Sequence, residues 1–274
     1  MSKLMDGRKL VNAIGIPGWL FFIWKGDIFY AVFILVIVVL GLGEFYNLTS
    51  KKGAKPLRWI GMVCSVFIID YFYVQPLLTS HQIIGCILFT IIMTLIWELF
   101  SNKKEPTLNI LSTLSGIMII PLLLGTSVDL RQFDTLMNTN LTLTLVISIW
   151  TCDSAAFIFG SYFGSKKIFP RVSPNKSWVG SISGLTGSVL IFFIFHNQGY
   201  LGDIFSLVDA ITLGVISGIF GQVGDFSESL LKRDVEVKDS GKILKGHGGV
   251  LDRFDSLIFA TPITYLYIHF FINT

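Results

Sequence analysis

The chain has 274 residues, of which 52% are hydrophobic and 14% charged, and its mean hydropathy is +0.69. An average soluble domain has about 25% charged residues and could not bury this much apolar surface, so the composition excludes an ordinary water-soluble protein. The net charge is a modest +3, so its distribution is more informative than its sign, and we expect no nucleic-acid partner. We predict an all-α integral membrane protein.

Nine apolar stretches are candidate membrane-spanning helices, because crossing the hydrocarbon takes about 20 apolar residues. They cover roughly residues 10–24, 28–46, 58–74, 82–100, 108–128, 140–160, 178–196, 207–226 and 255–273. Lysine and arginine provide a check, because they are enriched in cytoplasmic loops. With the N-terminus inside, 19 of the 21 fall in cytoplasmic segments. We predict about nine spans, with the N-terminus cytoplasmic and the C-terminus outside.

The organisation along the chain indicates where function lies. Residues 1–274 are predicted to form one polytopic membrane domain, because no repeat or linker marks a second one. Residues 1–139 supply the N-terminal spans. Residues 140–274 form a catalytic half with two long polar cytoplasmic loops, 161–177 and 227–254. We expect the active site on the cytoplasmic face of a multi-pass protein of the cell membrane.

The second loop concentrates charge, since residues 229–255 hold eleven of the chain's 39 charged residues. Just before and within it, Asp225, Glu228, Ser229 and Lys232 recur at helical spacing and share one face of a helix end. The loop is long enough to bring Asp225 close to Asp252. Paired carboxylates with nearby bases suit Mg²⁺ and a polyphosphate, because Mg²⁺ takes oxygen ligands and the bases neutralise the phosphates.

A glycine-rich turn, Gly246-His247-Gly248-Gly249, follows in the same loop. Glycine lets the backbone approach a phosphate and offer its N–H groups. The alternative is a basic connector whose carboxylates only pair with its bases. Carboxylates at membrane edges, such as Asp225 and Asp255, are costly without a partner and favour the site.

The ordered motifs within residues 229–255 resemble a known family signature. They read Ser-x-Leu-Lys-Arg, Lys-Asp-x-Gly and His-Gly-Gly-Val-x-Asp-Arg-Phe-Asp. This pattern closely resembles phosphatidate cytidylyltransferases, also called CDP-diacylglycerol synthases, and the likeness extends upstream through residues 153–164 and 173–180. Two positions depart from the pattern: Lys245 stands where proline is usual, and Val179 stands where glutamate or glutamine is common.

The resemblance implies cytidylyl transfer from CTP to phosphatidic acid, giving CDP-diacylglycerol and pyrophosphate. It implies that Asp225 and Asp252 bind Mg²⁺, with a monovalent partner such as K⁺, and family analogy suggests a homodimer in the bilayer. The other candidate catalytic residues are Lys232, Arg233, Lys238, Asp239 and Asp153. The candidate substrate-binding residues are Ser173, Asn175, Lys176, Glu228, His247, Gly248, Gly249, Arg253 and Asp255.

Several alternatives remain open from the residues. Asp153 lines the site or makes a structural hydrogen bond within the membrane. The Gly160-x-x-x-Gly164 spacing allows close helix approach. The Gly180-x-x-x-Gly184 and Gly214-x-x-x-Gly218 spacings predict helix packing rather than phosphate contact. Glu44, Asp70 and Glu98 lie at or near span ends, and we expect structural or interfacial roles for them.

Other functions compete with the proposed transfer. An ion-coupled transporter is a different class, but it predicts charges near the midplane in related halves. Closer rivals are a polyprenol or phytol kinase and an isoprenoid-ether cytidylyltransferase.

Overall fold

The computed structural model describes residues 15–74, 80–241 and 248–272. Within these residues, every secondary-structure element larger than a single β-bridge is a helix. The predicted all-α class is confirmed. The first helix, α1, is described over residues 15–25. The next helices are α2 (Asp27–Ser50), α3 (Arg58–Val74), α4 (Ser80–Ser101), α5 (Pro106–Ile119) and α6 (Pro121–Met137). They are followed by α7 (Leu141–Phe163), α8 (Trp178–Asn197), α9 (Leu207–Asp234) and α10 (Leu251–Phe271).

Within the described residues, six helical stretches are long and apolar enough to cross a membrane. They are Asp27–Ser50, Ile83–Ser101, Pro106–Met137, Leu141–Phe163, Trp178–Asn197 and Leu207–Asp234. Each overlaps one of the nine predicted spans, so a multi-pass membrane protein is confirmed. The other three predicted spans overlap α1, the 17-residue α3 and α10, whose first two turns carry Asp252, Arg253 and Asp255. The full count of nine stays a prediction.

The predicted span over residues 108–128 is longer in the structure and is interrupted near Pro121. α5 ends at Ile119, and α6 continues to Met137. The C-terminal end of α6 is stabilised because the buried carboxylate of Asp134 accepts hydrogen bonds from the N–H groups of Leu141 at 2.6 Å and Thr142 at 2.9 Å. α6 therefore ends by supporting the start of α7.

The predicted loop over residues 227–254 is shorter in the structure. α9 continues to Asp234, and α10 already begins at Leu251. Glu228 and Lys232 form a buried ion pair one turn apart, which favours helix beyond the apolar stretch. The described residues of this segment that lie outside the two helices are therefore 235–241 and 248–250.

The chain divides into two compact units that are discontinuous in sequence. The first combines residues 1–129 with 234–253, and the second combines 130–233 with 254–274. In the first unit, Tyr46 of α2 is fully buried and donates a hydrogen bond to the Thr113 carbonyl oxygen of α5 at 3.0 Å. The Thr113 hydroxyl accepts from the Leu57 N–H at 2.8 Å, so the start of α3 is fixed to the same helix.

The second unit contains a close contact between α7 and α8. A Cβ at Gly180 would lie 2.7 Å from the Ala156 carbonyl oxygen and 3.2 Å from the Gly160 Cα. Only glycine allows the two backbones to approach this closely. α9 packs on α8 in the same way, since a Cβ at Gly214 would lie 2.7 Å from the Val189 Cα. The packing role predicted for these glycine spacings is confirmed.

Candidate active site

A cavity of about 540 Å³ lies in the second unit, bounded by α7, residues 164–177, α8 and α9. Five of the predicted site residues line it: Asp153, Ser173, Asn175, Lys176 and Asp225. Gln222 and Lys167 add further polar groups, and the apolar wall includes the exposed ring of Phe157. One cavity therefore presents carboxylates, ammonium groups and an apolar surface together.

Lys176 and Asp225 form an ion pair at this cavity, and each side chain is about one third exposed. The Lys176 ammonium also lies 4.7 Å from the centre of the Phe226 ring. Its backbone is fixed, because the Lys176 carbonyl oxygen accepts from the Ile168 N–H at 3.2 Å. Ser177, the next residue, caps α8 by accepting from the Gly180 N–H at 3.2 Å. The local sequence thus positions one ammonium group at the carboxylates.

Two further carboxylates interact with this pair. Asp153 and Asp255 are both acted on by the charges of Asp225 and Lys176. Asp255 is brought near because α9 and α10 touch at Gly224, where a Cβ would lie 3.2 Å from the Ser256 Cα. Asp225 pairs directly with Lys176, and the carboxyl groups of Asp153 and Asp255 lie near this pair.

The last turns of α9 carry three more predicted residues, which lie beyond Asp225 and do not line the cavity. Glu228 and Lys232 are buried and pair with each other. Arg233 is exposed, and its Nε donates to the Val172 carbonyl oxygen at 3.3 Å. These contacts fix the end of α9 and join it to residues 164–177.

A second polar cluster lies in the first unit and is built around Glu44 of α2. Its carboxylate is only 1% exposed. Oε1 accepts from the Val250 N–H at 3.0 Å, while Oε2 accepts from the Leu251 N–H at 3.0 Å and the Ser240 hydroxyl at 2.9 Å. A negative group at these first N–H groups of α10 is favourable. These hydrogen bonds give Glu44 a structural role, which is one of the two roles expected for it.

Asp252 is held by the same segment. Its Oδ2 accepts from the Gly249 N–H at 2.7 Å and from both the N–H and the hydroxyl of Ser240 at 3.0 Å. Gly248 has a φ of +82°, and a Cβ there would lie 2.5 Å from the same oxygen. The glycines therefore let the backbone wrap a carboxylate, which is a role that the sequence did not indicate. Their predicted phosphate contacts stay predictions.

The remaining predicted residues of this segment differ in position. Lys238, Asp239 and Arg253 are exposed. The Arg253 N–H donates to the Val250 carbonyl oxygen at 3.0 Å in the first turn of α10. His247 and Lys245 lie outside the described residues.

Over the parts of the chain that the structure describes, no group of three or more His, Cys, Asp or Glu side chains has the geometry of a metal site. Mg²⁺ characteristically uses one or two protein carboxylates and takes its other ligands from substrate phosphates and water. The carboxylates of Asp225 and Asp252 are donors of that kind. They belong to different units, so their joint binding of one ion stays a prediction.

Comparison with known proteins relates the whole chain to one family. A family model described as "Cytidylyltransferase family" matches residues 7–271. A phosphatidate cytidylyltransferase of Synechocystis is 29% identical over 292 residues, which cover 96% of this chain and 97% of that protein. One from Staphylococcus aureus is 30% identical over 266 residues, with 94% and 97% covered. One from Haemophilus influenzae is 42% identical over 135 residues, covering 48% of this chain and 46% of that protein.

Proposed function

The chain belongs to the cytidylyltransferase family, and we propose that it transfers the cytidylyl group of CTP to phosphatidic acid, forming CDP-diacylglycerol and pyrophosphate. The observation that carries this proposal is the end-to-end similarity to phosphatidate cytidylyltransferases. The cavity with its Lys176 and Asp225 pair provides chemical support, since a phosphate-transfer site needs a cation, bases and an apolar surface for a lipid.

The reaction asks little covalent chemistry of the protein. A phosphate monoester has a second pKa near 6, so phosphatidic acid is already largely a dianion at neutral pH and needs no general base. One of its oxygens attacks the α-phosphorus of CTP and forms a new phosphorus–oxygen bond. The bond from the α-phosphorus to the bridging oxygen breaks, and pyrophosphate leaves with that electron pair. Catalysis then depends on alignment and charge neutralisation.

The carboxylates would bind the cation, and the basic residues would neutralise the phosphates. Asp225 and Asp252 would hold Mg²⁺, with a monovalent cation such as K⁺ beside it. When bound, Mg²⁺ would withdraw negative charge from the phosphates. Lys176 pairs with Asp225 in the structure, and its ammonium group would also neutralise phosphate oxygens of the substrates. The other bases assigned to phosphate neutralisation are Lys232, Arg233, Lys238 and Arg253.

The proposed topology has nine spans, a cytoplasmic N-terminus and the site at the cytoplasmic face of the cell membrane. Support comes from the charge distribution, in which 19 of the 21 lysines and arginines fall in the segments assigned to the cytoplasm. This arrangement lets CTP reach the site from the cytosol while phosphatidic acid arrives from the bilayer. A homodimer is proposed by family analogy alone.

The test is product identification with two labels. Purified protein in liposomes receives Mg²⁺, a candidate lipid and CTP labelled on either the α- or the γ-phosphate. We expect α-label in CDP-diacylglycerol, all γ-label in pyrophosphate, and loss of both products with EDTA. Phosphatidic acid should be preferred over an isoprenoid-ether phosphate. Transfer of γ-label to a lipid alcohol would identify a kinase, and no transfer with any lipid would overturn the proposal.

A further inference from the structure

α2 contacts residues 249–251, at the start of α10. Gly41 and Glu44 lie one turn apart on α2 and face the start of α10. A Cβ at Gly41 would lie 3.0 Å from Leu251 Cδ2, so the helices touch at this point. Glu44 then reaches the Val250 and Leu251 N–H groups. No catalytic role was expected for this helix.

Ser240 joins Glu44 to Asp252. Its hydroxyl oxygen lies 2.9 Å from Glu44 Oε2 and 3.0 Å from Asp252 Oδ2. A hydroxyl has one proton to donate, so the two carboxylates compete for the same group. Ser240 is 6% exposed, and its backbone N–H also donates to Asp252. The orientation of Asp252 therefore depends on where Glu44 holds Ser240 and the first turn of α10.

Two glycines leave room for this arrangement. A Cβ at Gly241 would meet Glu44 Oε1, and a Cβ at Gly249 would meet both Glu44 Oε2 and the Ser240 hydroxyl. Residues 240–241 and 249–251 thus lie tightly around the Glu44 carboxylate. Three donors satisfy that buried charge, which would otherwise be costly.

We infer that Glu44 is a positioning residue, which fixes Asp252 through Ser240 and the start of α10 in the orientation needed to bind the catalytic cation. The inference rests on the proposed function, because that proposal makes Asp252 a cation ligand. Groups that orient a metal ligand are themselves needed for affinity. Glu44 would therefore govern metal binding without touching metal or substrate.

The test replaces Glu44 with glutamine, which has nearly the same shape but one acceptor oxygen and an NH₂ group facing backbone donors. Binding of Mn²⁺ alone, as a stand-in for Mg²⁺, is measured by electron paramagnetic resonance on the full chain in detergent micelles. CTP and lipid are left out, so no turnover occurs during the measurement. We expect Glu44→Gln to weaken Mn²⁺ binding by about 10- to 100-fold. Ser240→Ala should also weaken Mn²⁺ binding. The double variant should bind Mn²⁺ no more weakly than whichever single variant has the lower affinity.

Glu98→Gln is the matched control. Glu98 is also a buried carboxylate of the first unit, 6% exposed, but it accepts from Asn109 Nδ2 at 3.1 Å on neighbouring helices instead. The Glu98→Gln variant should bind Mn²⁺ with the affinity of the wild type. If Glu44→Gln does not fold, Ser240→Ala decides the question.

Unchanged Mn²⁺ affinity in the folded variants, or additive effects in the double variant, would overturn the positioning role. So would a wild-type protein that forms CDP-diacylglycerol yet binds no Mn²⁺. Failure of the proposed function is separate, since it would show as absence of CDP-diacylglycerol from the wild type with phosphatidic acid and CTP.

Discussion

The ammonium group of Lys176 is the positive partner of a cluster that otherwise contains the carboxylates of Asp153, Asp225 and Asp255. Because Lys176 pairs with Asp225, its positive charge offsets part of the repulsion that Asp225 exerts on the other two carboxyl groups. The same ammonium lies at the cavity, where phosphate oxygens would need a positive partner during transfer. Charge balance and substrate binding thus depend on one side chain.

Lys176→Met should lower kcat by about 100-fold, because it removes one positive group from the phosphate-binding surface. Steady-state kinetics in liposomes, with CTP and phosphatidic acid varied separately, measures the effect. Lys52→Met is a suitable control, since Lys52 forms an exposed ion pair with Asp234 at 3.1 Å. If Lys176→Met retained wild-type kcat, this lysine would have no part in the chemistry.

The sequence indicated many of these residues but not how they are held. Asp153, Lys176 and Asp225 were predicted from motifs, and the structure places them at one cavity, although their roles stay predictions. For Glu44, which lies near the end of an apolar stretch, the sequence predicts a structural or interfacial role but no partner. Its partners Ser240, Val250 and Leu251 are 196 to 207 residues away in sequence. Hydropathy and helical spacing carry no information about contacts at that distance.

For the helices, the apolar stretches of the sequence predict the positions more accurately than the ends. The predicted stretch over residues 207–226 corresponds to α9, which continues to Asp234. The apolar stretch ends where the hydropathy of the sequence falls. The helix continues as long as backbone hydrogen bonds and side-chain pairs support it. Glu228 and Lys232 prolong it as a polar, still helical end.

The packing of α7 on α8 forms one wall of the cavity and leads to a prediction about Gly180. Gly180→Val would force a side chain against the Ala156 carbonyl oxygen, where even a Cβ would lie at 2.7 Å. We expect it to lower the free energy of unfolding by about 1–3 kcal/mol and to reduce activity as the helices separate. The apparent Tm in detergent micelles and the rate of CDP-diacylglycerol formation measure these effects.

Gly43→Ala on α2 serves as the control, because a Cβ at Gly43 meets nothing within 4 Å. Its Tm and activity should remain those of the wild type. Equal Tm values for Gly180→Val and the wild type would show that α7 and α8 do not need this close approach.

For the whole molecule, the proposed orientation predicts which polar segments face the cytosol. In a variant without Cys64, Cys86 and Cys152, single cysteines are placed at two exposed positions, Arg171→Cys and Asp203→Cys. In intact cells, an impermeant thiol reagent should label Asp203→Cys but not Arg171→Cys. Labelling of Arg171→Cys should appear only after the membrane is permeabilised. The reverse pattern would contradict access of cytosolic CTP to the site.

We propose that Asp225, in the carboxylate cluster of the second unit, is a catalytic residue for cytidylyl transfer to phosphatidic acid. The most direct measurement compares CDP-diacylglycerol formation by purified Asp225→Asn and Asp209→Asn. Both residues lie on α9, but Asp209 is at the other end, where its carboxylate accepts from the Tyr267 hydroxyl at 2.6 Å. Asp225→Asn should form no detectable CDP-diacylglycerol while remaining folded in the membrane, and Asp209→Asn should retain activity. Full activity of Asp225→Asn would contradict the claim.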